Sequence, residues 1–287
     1  VRNKRVCDII IKMPIKLSYK KPIIDFHTHI FPEPLYAAIK SWFVNNVNWE
    51  FYFKGNSMEA FKFLDDIPNI EKFVAFGYAH KPGISLKLNE FYVNLKSISE
   101  KVMPLATIHQ EDDVITVANM AFDSGLAGFK IHCQVQKVSP SDKRFEPLYK
   151  IVQERDGFIL FHAGTAPFPS GYTGFVEFSK FLKKFPKVKT VVAHLGAFES
   201  ENFLKAAIDY ENLYLDTSYA FIANPTNRID APLKLIEQAS NKIFYGSDFP
   251  GICHSYEDGV KALLKLNLDE QTLDKIFYFN ARDFLSI

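Results

Sequence analysis

The run Ile24-Asp25-Phe26-His27-Thr28-His29 packs two imidazoles into one short, β-rich stretch. Side chains alternate along an extended strand, so His27 and His29 project from the same face, one residue pair apart. Two imidazoles so placed can grip one cation. Three more candidates lie far downstream, each late in an apolar run: His162 in Phe161-His162-Ala163-Gly164, His194 in Ala193-His194-Leu195-Gly196, and Asp248 in Gly246-Ser247-Asp248-Phe249. Any one histidine on a strand is more often a hydrogen-bonded core or surface group than a ligand. Four histidines and an aspartate at the same kind of position are harder to dismiss. Imidazoles plus a carboxylate with open positions make up the usual donor set for catalytic Zn²⁺ or a related divalent metal.

The elements that would position these groups alternate along the chain. Apolar, β-rich runs fall at 23–30, 72–79, 101–108, 126–133, 158–164, 189–196, 212–218 and 242–248. Helical patterns lie between them. Pro140-Ser141-Asp142 opens one that runs toward Arg155, with Phe145, Leu148, Tyr149 and Val152 at helical spacing, and 199–210 and 255–266 read the same way. Asp156-Gly157 reads as a glycine stop. Strict alternation of strand and helix implies a parallel sheet, and eight units with no second domain imply a single-domain (β/α)₈ TIM barrel. In such a barrel the carboxyl ends of the strands converge on one mouth, so residues more than two hundred positions apart can meet around one ion.

Two segments exceed the bare barrel. Residues 1–22 form an N-terminal extension ahead of the barrel at 23–287, expected to add a short strand or to cover the barrel bottom. The connection 31–71 is far longer than a helix return and holds Phe31, Tyr36, Trp42, Phe43, Trp49, Phe51, Tyr52 and Phe53. It follows a barrel strand, so it sits on the active-site face. Its aromatics would either roof a substrate pocket or form a satellite cluster under a long loop.

Bulk properties narrow the function classes. The chain has 287 residues, of which 47% are hydrophobic, and a formal charge of +1. That balance gives no basic face for nucleic acid. No apolar run approaches the ~20 residues of a membrane span. Residues 1–21 carry charges within their apolar stretch and make a poor signal peptide. Cys7, Cys133 and Cys253 are too few and too scattered for a disulfide framework, so a cytoplasmic location is expected. The expected partner is a small-molecule substrate, with neither nucleic acid nor membrane, and association into a homo-oligomer stays open.

From Ile23 to Asn280-Ala281-Arg282 the sequence resembles the amidohydrolase superfamily, in the amidohydrolase-related (amidohydrolase 2) branch that includes relatives of aminocarboxymuconate-semialdehyde decarboxylase. The matching pieces are Asp25-Phe-His27-Thr-His29, Gly128-Phe-Lys130-Ile-His132, Phe161-His162-Ala-Gly164, His194-Leu-Gly196 and Gly246-Ser-Asp248-Phe-Pro250. The resemblance implies that His27, His29 and His162 bind the metal, and that Asp248 completes the set or accepts a proton from the metal's water. His194 would bind a second ion or act as an acid or base. Lys130 would bridge two ions when carboxylated, contact substrate, or brace a carboxylate; an interior lysine paired with an acid is the plain alternative. His132 would face substrate. Cys133 points away from the pocket by alternation.

The remaining mouth residues are weaker candidates. Lys137, Arg144, Tyr219, Arg228, Cys253 and His254 lie in the connecting loops, where charged groups are usually solvated surface. His80 and His109 have no expected role, and neither do Glu199 and Asp216.

The sequence therefore predicts a metal-dependent hydrolase with one Zn²⁺, a second ion being accommodated by Lys130 and His194. A divalent ion lowers the pKa of its water to roughly 7, and Asp248 or His194 would move the proton during attack on an amide or lactone. A metal-dependent, non-oxidative decarboxylase of an unsaturated acid is the alternative, and a ligand-binding barrel is the non-enzyme alternative.

Overall fold

The computed structural model describes residues 15–222 and 228–287. Among these, nine strands appear in chain order: β1 (Ile23–His29), β2 (Ile70–Phe76), β3 (Val102–Pro104), β4 (Ala106–Thr107), β5 (Gly128–His132), β6 (Phe158–His162), β7 (Lys189–Val192), β8 (Leu213–Asp216) and β9 (Ile243–Phe244). Each neighbouring pair is parallel, in the orders β1-β2-β3 and β4-β5-β6-β7-β8-β9. Only Leu105 separates β3 from β4, and its N–H still donates to the Ala75 carbonyl at 3.0 Å. The two short strands are therefore halves of one barrel strand. At the other seam, Phe26 N–H donates to Tyr245 O at 2.8 Å, and His29 N–H to Phe249 O at 2.7 Å. The chain leaving β9 thus lies along β1, and the fold is the expected (β/α)₈ barrel.

The strands are apolar on both faces, as a parallel sheet covered on both sides requires. One cluster fills the barrel interior: Ile24, Phe26, Val74, Phe76, Leu105, Phe158, Leu160, Val191 and Phe244. A larger one, including Phe73, Phe129, Ile131, Phe161 and Val192, packs against the helices. Strand β1 departs from simple alternation. The Phe26 ring sits in the interior, 4.5 Å from that of Phe244, and the adjacent His27 ring is also interior, 4.8 Å from that of Phe76. The β1–β2 register shifts between Asp25 and Thr28. Such an irregularity re-aims side chains next to active sites. It lets β1 send a phenylalanine into the core and an imidazole into the mouth from consecutive positions.

Phe284, on the C-terminal helix Asn280–Leu285, closes the barrel bottom. Its ring lies 5.1 Å from those of Phe158 and Phe244 and 4.7 Å from that of Tyr214. Over its described part the N-terminal extension packs beside this cover, with Asn69 donating to the Tyr19 and Lys21 carbonyls at 3.0 and 3.1 Å. Tyr19 stacks on Phe277 at 4.1 Å and its hydroxyl donates to Asp274 at 2.6 Å. Residues 1–14 lie outside the described residues.

The insertion after β1 folds into two helices, Glu33–Val47 and Ser57–Asp65. Asn56 caps the second by accepting from Glu59 N–H at 2.9 Å, while Glu59 accepts from Asn56 N–H at 2.8 Å. Phe31, Tyr36 and Phe51 bury themselves against Tyr78. Tyr52 N–H donates to Ile252 O at 2.8 Å, which fastens the insertion to the loop after β9.

The helix before β6 spans Glu146–Glu154, but its stop differs from the expected glycine cap. Asp156, not Gly157, takes the left-handed conformation, with φ of 53°. A Cβ on Gly157 would lie 2.5 Å from the Phe122 ring, so close packing is what calls for glycine there. Gly157→Ala is accordingly expected to destabilise the fold by about 1–3 kcal/mol through overpacking. Asp156→Gly should be close to neutral. Urea unfolding of the two variants checks the pair.

Candidate metal centre

The centre rests on a buried carboxylate. Asp216 ends β8 and has no exposed surface. Its Oδ2 accepts from His27 Nδ1–H at 2.8 Å, and its Oδ1 accepts from the backbone N–H groups of His194 and Ser218, both at 3.0 Å. The Ser218 hydroxyl also donates to Oδ1. Burial opposes a charge on Asp216, yet His27 and these donors hold its carboxyl far below the usual range.

This pattern assigns the ring tautomers. His27 spends Nδ1–H on Asp216, so its Nε2 carries a lone pair. His194 donates Nδ1–H to Ser218 O at 2.9 Å, which leaves Nε2 free. His162 donates Nε2–H to Ala166 O at 2.9 Å, which leaves Nδ1 free. The free atoms converge. His27 Nε2 lies 3.3 Å from His29 Nε2, and both lie 3.2 Å from Asp248 Oδ1. His194 Nε2 lies 3.2 Å from His162 Nδ1. Donor atoms of His27, His194 and Asp248 all fall within 4.8 Å of one another.

Lone pairs facing at such distances repel unless a proton or a cation lies among them. Two ligands about 2.1 Å from a tetrahedral ion stand about 3.4 Å apart, which matches the spacings around His27, His29 and Asp248. The donor set therefore fits a divalent metal. Burial lowers His29 to about 4 and takes His132 and His162 well below the usual histidine range; His194 is lowered too. Neutral imidazoles are the form that binds metal. His27 is the exception: burial would lower it, but the Asp216 carboxylate raises it.

Two of the residues sit in left-handed backbone, His194 with φ of 58° and Asp248 with φ of 63°. Neither lies on a strand. β7 ends at Val192 and β9 at Phe244, so both residues belong to the loops beyond, not to the strand ends expected from the sequence. Backbone hydrogen bonds hold them instead: His194 N–H to Asp216, and Asp248 N–H to His27 O at 2.8 Å. Non-glycine residues in such conformations persist only where the surroundings over-determine them. Gly196 completes the His194 turn, with φ of 80°, and a Cβ there would meet the Phe203 ring.

Above the ligand atoms lies a cavity of about 110 Å³. Its floor is His29, His132, His162, His194 and Asp248, and its roof comes from the insertion, including Tyr36, Phe43, Trp49 and Phe51. The insertion aromatics thus form both a packed cluster and a roof. His132 stacks on His162 at 4.0 Å and faces the cavity as expected. Lys130 does not line it. It is fully buried, its Nζ has no hydrogen-bond partner among the described residues and lies 4.7 Å from the Phe76 ring centre. Burial lowers it to about 8, against the upward pull of the Asp216 and Asp248 charges. Cys133 is buried in the outer core.

The loop charges turn elsewhere. Arg144 pairs with Asp142 at 2.8 Å and Arg228 with Asp230 at 2.7 Å. Glu199 accepts from Phe175 N–H at 3.1 Å. Asp216 is the residue that sequence reasoning left without a role. Its signal was a carboxylate closing an apolar run at the carboxyl end of a barrel strand.

The family model described as Amidohydrolase matches residues 111–287, more than half of the chain. The chain belongs to the amidohydrolase 2 family. The match begins downstream of His27 and His29, so that pair is carried by the fold and not by the matched region. No curated protein matches the chain. Among solved structures, a TIM-barrel protein of Bordetella bronchiseptica aligns over 92% of this chain and 98% of its own, with 17% identity and a TM-score of 0.72. A probable 2-pyrone-4,6-dicarboxylic acid hydrolase from Acinetobacter baumannii aligns over 92% and 99%, with 15% identity and a TM-score of 0.62. A dihydroxybenzoic acid decarboxylase from a Polaromonas species, with bound manganese and the inhibitor 2-nitroresorcinol, aligns over 93% and 97%, with 13% identity and a TM-score of 0.65. The chain is thus an enzyme of the amidohydrolase superfamily, and its fold is shared by solved proteins named as a hydrolase and as a decarboxylase.

If Asp216 orients His27 toward a metal, Asp216→Asn should weaken metal binding by about 10–100-fold. His27→Ala, which removes a donor outright, should weaken it more. Titration of the metal-stripped variants with Zn²⁺ and Mn²⁺ measures both.

Proposed function

We propose that this amidohydrolase 2 protein catalyses metal-dependent, non-oxidative decarboxylation of a small, single-ring unsaturated carboxylic acid. One observation carries the reading: a cavity of about 110 Å³ whose polar groups gather at the histidine–aspartate floor while aromatic rings line the roof. An engineered apolar cavity of about 150 Å³ takes up benzene, so this smaller space admits no more than one ring. Among the described residues no lysine or arginine lines it, so the floor is where a substrate carboxylate would be held.

His27, His29 and Asp248 would hold one divalent ion, with His194 or His162 beside it; Zn²⁺ and Mn²⁺ both suit imidazole and carboxylate donors. The bound ion would fix the carboxylate and stabilise charge that develops on the substrate. Breaking the C–C bond releases CO₂ and leaves the electron pair on the ring carbon, which must take a proton. His194 Nε2 and the Asp248 carboxylate belong to the cavity floor and would relay a proton from solvent to that carbon. The His132 ring, stacked on His162, would set the position of the substrate ring. Lys130, which does not line the cavity, would not bridge a second ion, and a single ion is enough.

Hydrolysis is the second reading, and Asp248 favours it. Its Oδ1 lies 3.2 Å from both His27 and His29, where a carboxylate could accept a proton from attacking water during cleavage of an amide or lactone. The substrate in either case is a small molecule, not a nucleic acid or a membrane. No helix among the described residues is long and apolar enough to cross a membrane, and the free thiols Cys133 and Cys253 suit a reducing cytoplasm.

The two reactions leave different isotopes in the product. The metal-loaded protein, given a panel of aromatic acids, lactones and amides in D₂O and in H₂¹⁸O, should release CO₂ and place deuterium on the ring carbon. Incorporation of ¹⁸O into a new carboxyl group, without CO₂, would establish hydrolysis instead. Asp248→Asn keeps size but removes the base, and turnover should fall by ~10²–10⁴. Near-normal turnover in that variant would remove Asp248 from the proton transfer.

A further inference from the structure

His132 and His194 both border the cavity floor, but their rings are held in opposite senses. His194 spends Nδ1–H on Ser218 O, which leaves a lone pair on Nε2. His132 instead caps the short helix Cys133–Gln136, where its Nδ1 accepts from Val135 N–H at 3.4 Å. A nitrogen that accepts carries no proton, so the one N–H of this neutral ring lies on Nε2.

The ring has little freedom to turn. One face stacks on His162, with centres 4.0 Å apart and planes 11° apart, and the Tyr78 ring stands 4.9 Å away at 72°. The backbone beneath is pinned as well. His132 N–H donates to Gln136 Oε1 at 2.7 Å, and Gln136 Nε2–H donates to Ile108 O at 2.7 Å. A flipped ring would set a carbon against Val135 N–H and lose the cap.

The two nitrogens of an imidazole point to nearly opposite sides of the ring, so Nε2–H is turned away from the helix that Nδ1 caps. No group among the described residues accepts from it, yet it is not sealed from water as Lys130 Nζ is. His132 is partly exposed and lines the cavity, so that is where its N–H opens. The two histidines therefore have different capacities. A lone pair on His194 Nε2 takes a proton, whereas His132 Nε2 has none to offer and gives a hydrogen bond. A neutral imidazole N–H is suited to holding a negatively charged oxygen without ionising itself.

We propose that His132 is a fixed hydrogen-bond donor, binding an oxygen of the substrate's acid group through Nε2–H and leaving proton transfer to His194 and Asp248. This deepens the preceding reading and rests on it in one respect, that the floor takes a carboxylate.

The tautomer is read directly by ¹⁵N–¹H correlation on the Zn²⁺-loaded, isotope-labelled full chain. His132 should show a protonated Nε2 and an unprotonated Nδ1, and its Nε2–H resonance should move downfield when benzoate is added. His132→Asn separates the cap from the donor. Asparagine is a preferred helix cap, and its side-chain oxygen would take over Val135 N–H, but the shorter side chain presents no donor where Nε2–H stood. Calorimetric titration should show benzoate bound about tenfold or more weakly by this variant, the scale of one hydrogen bond to a charged group. Its Zn²⁺ content should be unchanged. A proton on His132 Nδ1 overturns the proposal, as does benzoate affinity within about twofold in the folded variant. In both cases benzoate binding to the unsubstituted protein still supports a carboxylate at the floor. If the unsubstituted protein binds no benzoate, both readings fall together. The tautomer measurement needs no substitution and decides the matter even where His132→Asn fails to fold.

Discussion

One carboxylate, Asp216, organises the mouth of this barrel. It is buried beyond reach of water, so every lone pair must be met by the protein. The donors that meet them come from different parts of the fold: His27 from β1, His194 from the turn after β7, and Ser218 from the loop that follows β8. Satisfying the carboxylate therefore fixes three pieces of backbone at once. It also decides chemistry one layer above. By taking the proton on His27 Nδ1, Asp216 turns the Nε2 lone pair toward His29 and Asp248. Outer carboxylates commonly set tautomer and ring direction in this way at metal sites.

Asp25 does for the backbone what Asp216 does for the rings. It is fully buried, and burial raises it to about 6 even though Tyr256 donates to it at 2.9 Å and the N–H groups of His27 and Ser247 at 3.2 and 3.0 Å. Those bonds join β1 to the loop that carries Asp248. Together with the shifted register in β1, they bring His27 and Asp248 face to face. A regular strand would have pointed Phe26 and His27 to opposite sides. The site thus depends on a local departure from strand geometry, stabilised by a buried acid that never touches the cavity.

The barrel was legible in the sequence because its signal is repeated. Eight apolar runs separated by helical stretches leave few alternatives, and each run found its strand. His27, His29, His162 and Asp248 stood out as ligands because imidazoles and a carboxylate late in apolar runs are chemically conspicuous, whereas the donor atoms that gather within 4.8 Å are those of His27, His194 and Asp248. Less visible were features that depend on packing. Asp216 looked like any acid near a mouth, since nothing local shows that its neighbours would be His27 and Ser218. The glycine at 157 looked like a helix stop, whereas the Phe122 ring is what excludes a side chain. Lys130 was expected among ion-bridging, substrate-binding or acid-paired roles, and it is buried outside the cavity lining with no hydrogen bond to its Nζ among the described residues. The aromatic insertion announced a pocket or a cluster, and only three-dimensional placement shows that it makes both.

Charge accounting ties the floor to the roof. Asp216 and Asp248 bring two negative charges to the centre, and Lys130 brings one positive charge in its protonated form. A divalent ion would leave the group at +1, and a single substrate carboxylate would bring it to zero. Without a metal the deficit falls on the imidazoles, and the upward shift of His27 beside Asp216 is the expected response. A low-dielectric site rewards such neutrality, because unbalanced charge there is poorly screened. The same accounting leaves nothing over for a second anion. That agrees with a roof built from aromatic rings, and with arginines that face aspartates outside the cavity. Floor and roof are built from different residues, and both would suit the same kind of molecule: one negative end, and a largely apolar body.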